Sequence, residues 1–140
     1  MKGGALWLGE HHNSATDHNL QADLIRSLYE RRCKSSGSSS LSSSTSALAI
    51  GLEQVQIQFQ PVLDDFVNGV ISEEEMLKGV DWEQRWFWSY DKYRPVFELA
   101  REKKIPLIAL NVNSEDLAVV ERSGYPGLSP SQLQRYIKDR

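Results

Sequence analysis

Three short apolar runs, spaced by helix-like stretches, constrain this chain more than any other feature. They are residues 5–9 (Ala5-Leu6-Trp7-Leu8-Gly9), Leu48 to Glu53, and Ile105 to Asn111. Each is almost continuously apolar, the pattern of a strand covered on both faces. Between the first two, Asp17 to Arg32 predicts a helix with Leu20, Leu24, Ile25 and Leu28 on one stripe and Asp17 as its N-cap. After the second run, Phe59, Val62, Leu63, Phe66 and Val67 form another helical face, stopped at Asn68-Gly69. Ser72-Glu73-Glu74-Glu75 is a capping box opening a short helix. Trp82 to Tyr90 and Tyr93 to Lys103 read as further helices, the latter with Pro95 in its first turn. Ser114 caps a helix to Arg122, and Ser129-Pro130-Ser131-Gln132 opens the last. Strands separated by helices predict an α/β fold in three layers, a short, mostly parallel sheet flanked by helices. Three strands leave both sheet edges open. The 140 residues therefore read as one partial domain, a truncated piece of a larger one.

Composition narrows the function. The net charge of −3 supplies no basic excess to neutralise phosphates, which argues against nucleic-acid binding. No apolar stretch approaches the roughly 20 residues of a membrane span. Cys33 is the single cysteine, so no internal disulfide forms. Ser35 to Ser46 holds nine serines and reads as a flexible insert with no place in the core or the site.

The polar residues that close the apolar runs carry the chemistry. All three histidines lie in Glu10-His11-His12-Asn13-Ser14-Ala15-Thr16-Asp17-His18, on a strand-to-helix turn. Ligands of open α/β sheets bind beyond the strand C-terminal ends. Glu10, Glu53 and Asn111 each end an apolar run, so a parallel sheet brings them to one edge with His11, His12 and His18. Carboxylates and imidazoles there can hold a divalent ion, act as an acid/base pair or orient a ligand. Glu10 and Glu53 can equally serve as helix caps. His11 and His12 point opposite ways on an extended segment, while His18 reaches back from the first helical turn. Trp82, Trp86, Tyr90 and Tyr93 share a helical face that either roofs the sheet or stacks a flat ligand.

Leu8-Gly9-Glu10-x-His12 followed by His18-x-x-Gln21 resembles the opening motif of the ChaN-like haem-binding family of the Tiki/TraB/erythromycin-esterase-like superfamily. The likeness continues through Ala49-Ile50-Gly51-Leu52-Glu53, Gln60-x-x-Leu63-Asp64 and Gly69-x-Ile71-Ser72. It ends with the Trp82-x-x-x-Trp86 to Tyr93-x-Pro95 block and Ile108-Ala109-Leu110-Asn111. The resemblance implies an α/β domain that binds haem and pairs as a homodimer around cofacial haems. It implies His12 as the residue on the haem iron, with Glu10 and Glu53 as pocket carboxylates. His18, Trp86 and Tyr90 complete the expected haem-binding set, and no catalytic residue is expected. This chain departs from the family at His12-Asn13-Ser14-Ala15, where a His-Asp-Asn-Pro run is usual, and at Asp17-His18, where a His-His pair is usual. Family members are also longer, and the C-terminal part that supplies an iron-ligating tyrosine has no counterpart here. The serine-rich insert is similar to that of plant, plastid-targeted members, so a chloroplast location is expected, with the cytoplasm as the alternative.

The leading expectation is a haem- or tetrapyrrole-binding module. The alternatives are a metal-dependent hydrolase of the Tiki type, with Glu10, His12 and Glu53 on a divalent ion, or a non-catalytic interaction domain.

Overall fold

The computed structural model describes residues 4–35 and 48–137. The serine-rich stretch, apart from the backbone of Ser35, lies outside them, as does the side chain of Cys33. Among the described residues there are two strands, β1 (Ile50–Gln56) and β2 (Leu107–Asn111). Seven α-helices accompany them: α1 (Ala15–Ser35), α2 (Gln60–Asn68), α3 (Glu73–Gly79), α4 (Trp82–Arg85), α5 (Arg94–Lys103), α6 (Ser114–Ser123) and α7 (Pro130–Tyr136). The strands pair in parallel, so the α/β reading is correct.

The strand count is corrected from three to two. Residues 4–10 take no regular structure, and Leu6, Trp7 and Leu8 are exposed. A strand needs a hydrogen-bonded neighbour, and among the described residues β1 pairs only with β2. One sheet face is buried through Leu52, Leu107 and Ala109. On the other, no element among the described residues covers Ile108 and Leu110, which are exposed.

The core forms where α2 and α5 meet that sheet. Leu63, Phe66, Phe97, Leu99, Ile105 and Leu107 are almost wholly buried. Pro61 starts α2, and Gly69 ends it in the left-handed region at φ 79°, a conformation glycine adopts without a steric penalty. Ser72 with Glu75, and Ser129 with Gln132, form the two expected capping boxes.

Two helices differ from expectation. On α1 the inward residues are His18, Ala22 and Ile25, with Leu20 69% exposed and Leu24 also exposed. The polar His18 sets the buried face, which an apolar count overlooks. Ser14 Oγ, rather than Asp17, caps α1 by accepting from the Asp17 amide at 3.2 Å. The helix expected over Trp82 to Tyr90 ends at Arg85, and Trp86 is extended at φ −137°. The aromatic residues still meet, through tertiary packing: Trp82 sits edge-on to Tyr90, Tyr93 and Phe97.

Gln60 caps a sheet edge. Its Nε2 donates to the Leu107 carbonyl and its Oε1 accepts from the Ala109 amide, both at 2.8 Å. The side-chain amide thus imitates a neighbouring strand and blunts the free side of β2. Gln60→Glu removes the donor and faces the Leu107 carbonyl with a carboxylate. It is expected to lower unfolding free energy by about 1–3 kcal/mol in urea titrations; unchanged stability would show that the edge needs no cap.

Candidate functional site

The site forms where the histidine turn meets β1. The turn is clamped from both sides. Asp17 Oδ2 accepts from the His11 amide and from His11 Nδ1, each at 2.9 Å. Across the turn, Lys92 Nζ donates to the Asn13 carbonyl at 2.9 Å and the Tyr93 hydroxyl donates to the His12 carbonyl at 3.3 Å. The His11 bonds draw the Asp17 carboxyl down to about 2.

Glu10 is the centre of the cluster. Its Oε1 accepts from Gln54 Nε2 at 3.2 Å and lies 3.0 Å from His12 Nδ1. Its Oε2 accepts from Gln21 Nε2 at 2.9 Å and lies 3.2 Å from Nε2 of His18, a fully buried side chain. The His18 contact is off the line of a good hydrogen bond, so its attraction is mainly electrostatic. Burial raises the Glu10 pKa, but the bonds from Gln21 and His12 and the close approach of His18 outweigh it and hold the carboxyl below its ordinary value of 4.5. A carboxylate cannot donate, so in the neutral imidazole of His12 the proton sits on Nδ1 and Nε2 keeps a lone pair.

The rings around these groups are aromatic. His12 is edge-on to Trp86 at 5.1 Å and tilted against Trp88 at 5.7 Å. His18 lies 4.2 Å from the Tyr93 ring. Burial pushes the Tyr93 phenol up to about 12, helped by the Glu10 and Glu53 carboxylates and opposed by Trp86. Burial also raises the Tyr90 phenol strongly, followed by the effect of Glu73. Neither tyrosine offers a phenolate near neutral pH.

Strand alternation decides which of the β1 residues joins, just before a register shift. The register runs Leu52↔Ala109 and then Gln56↔Asn111, so β1 carries extra residues between those pairs. Gln54 reaches Glu10, whereas Glu53 is exposed in mid-strand and does not end β1 as expected. Tyr90 lies apart from the histidines, its hydroxyl donating to Glu73 Oε2 at 3.2 Å.

The single-cavity expectation is also corrected, because the strand-end residues divide into two networks. Asn111 accepts from the Val112 amide, and its register partner Gln56 turns to Arg85 and Ser114. Arg85 spans Gln56 and Glu115, each at 2.8 Å. Buried Asp116 accepts from Tyr136, Gln132, Arg135 and Asn113, which ties α7 to the start of α6. His11 belongs to neither network and turns out to Asp17. Sequence reasoning missed Gln54, whose alternation with Gln56, Gln58 and Gln60 was the available signal. Gln21 was visible only as part of a motif.

The family model for haem-binding uptake proteins (Tiki superfamily, ChaN) matches residues 2–139. The chain belongs to this family. A search of curated proteins and of solved structures finds no match. Within this ChaN-family chain, no helix among the described residues is long and apolar enough to cross a membrane.

Glu10 and Asp17 give the site a pH signature. Both carboxyls are depressed in the folded state, so their stabilisation is complete above the ordinary carboxylate range and is lost as pH falls. Urea unfolding should show stability falling between pH 3.8 and about 2 through Asp17, and Asp17→Asn should flatten that slope. An identical slope in the variant would remove the His11 clamp from the account.

Proposed function

We propose that this ChaN-family chain is a haem- or tetrapyrrole-binding module in which His12 Nε2 meets the iron. The observation that carries the reading is the Glu10 contact at His12 Nδ1. Metal-bound histidines commonly donate their other ring nitrogen to a carboxylate, which fixes the tautomer and raises ligand basicity. His12 is one-third exposed and set against Trp86 and Trp88, so the ring is both reachable and held. These residues fit an iron-bound imidazole. When bound, the iron would supply the electronic chemistry, and the protein would supply orientation and an apolar flank.

In this reading Glu10, Gln21, Gln54 and His18 position His12 and do not touch the ligand. Trp86 would cover part of the macrocycle. Glu53, exposed beside the cluster, would face its polar rim. Tyr90, hydrogen-bonded to Glu73, takes no part. Pairing of two chains around the ligand, and a plastid compartment, rest on the family resemblance alone. A Tiki-type metal hydrolase would need Glu10 as a direct ligand, yet both its oxygens already face protein nitrogens.

Haem titration followed at the Soret band tests the proposal. The parent chain should give a saturable shift, and His12→Ala should abolish it. Glu10→Gln should weaken binding by roughly 10- to 100-fold, the usual effect of losing such a partner. Far-UV circular dichroism checks that both variants stay folded. No shift in the parent, or an identical shift in folded His12→Ala, overturns the assignment.

A further inference from the structure

A second concavity lies where α3, α4 and residues 86–91 meet. Its volume is about 820 Å³, within the size range of small-molecule sites. Trp86, Phe87, Trp88 and Tyr90 supply its aromatic walls. Phe87 is 98% exposed, an unusual position for a large apolar ring. The loop that presents these rings is anchored in the core, because Trp82 Nε1 donates to the Trp88 carbonyl at 3.0 Å while its ring packs on Tyr90, Tyr93 and Phe97.

The charges around this wall select the ligand. Four carboxylates line the groove (Glu74, Asp81, Glu83 and Asp91) against two cations, Lys78 and Arg94. Each cation is already matched: Lys78 to Glu74 at 2.7 Å, and Arg94 to Asp91 at 2.9 Å and Glu73 at 3.1 Å. Asp81 lies 3.4 Å from Arg85. Glu83 makes no ion pair among the described residues. The groove also holds one cation on a ring, the Arg94 guanidinium 5.4 Å from the Tyr90 centroid. Aromatic faces and an unmatched carboxylate attract a positive ligand and disfavour an anionic one.

We propose that this groove binds a compact organic cation of the quaternary-ammonium class, seated against Phe87 and Trp88 with Glu83 as its counter-charge. The groove borders the His12 site, because Trp86 and Trp88 belong to both, but Phe87 and Glu83 belong to the groove alone, so choline binding is read whether or not His12 meets an iron.

Calorimetric titration with choline and with its uncharged tert-butyl isostere tests the charge requirement. Choline should bind saturably and roughly 2- to 30-fold more tightly than the isostere, the range that cation–π contacts give. Glu83→Gln and Phe87→Ala, both at exposed positions, should each weaken choline several-fold and leave the circular dichroism spectrum unchanged. Absence of saturable choline binding, equal affinity for the neutral isostere, or undiminished binding in both folded variants would overturn the proposal. Tighter binding of benzenesulfonate than of choline would do the same.

Discussion

The buried contacts of one carboxylate, Glu10, organise everything functional in this chain. It follows a segment without regular structure and precedes the histidine turn, so it is the first residue the fold holds in place. Its partners come from its own turn, from α1 and from β1. Burying a carboxylate is unfavourable unless its lone pairs are satisfied. Four nitrogens around its two oxygens meet that requirement. Those same contacts join strand, turn and helix, and they set the orientation of His12.

Polar contacts of this kind explain the departures in α1 and β1. A helix that buried Leu20 and Leu24 would turn His18 away from Glu10; the observed helix buries His18 and leaves those leucines outside. β1 alternates through Leu52, Glu53 and Gln54, which brings Gln54 to Glu10; beyond it the alternation breaks and Gln56, buried beside Val55, turns to Arg85 and Ser114. In each case a local apolar pattern gives way to a polar contact made across the fold. The second network, in which Arg85 joins Gln56 to Glu115 and Asp116 holds Asn113, Gln132 and Tyr136, has a different task. It fixes α6 and α7 beyond the strand ends and leaves the histidine turn to Glu10.

Features set by neighbours in sequence were legible. The Gly69 stop of α2, both capping boxes, and the parallel direction of the strands follow from residue type and spacing. Glu10, His12 and His18 were identifiable because imidazoles and a carboxylate fall within nine residues around the start of α1. The opaque features depend on tertiary contacts. An apolar run such as Leu6-Trp7-Leu8 signals a strand but cannot supply the neighbour that makes it one. Glu53 and Gln54 are adjacent and point to opposite faces, and only the packing of Leu52 into the core decides that Gln54 joins Glu10. Trp86 and Tyr90 lie on one ideal helix face, yet α4 ends at Arg85, before both, and the extended chain beyond it sends one to His12 and the other to Glu73.

The account rests on the state of the His12 ring, which long-range nitrogen–proton correlation NMR reads directly. In the neutral imidazole the spectrum should show the proton on Nδ1 and an unprotonated Nε2, and Glu10→Gln should shift the ring toward a mixture of tautomers. A neutral His12 that carries its proton on Nε2 in the parent chain would contradict the account, because that nitrogen would then have no lone pair to offer an iron.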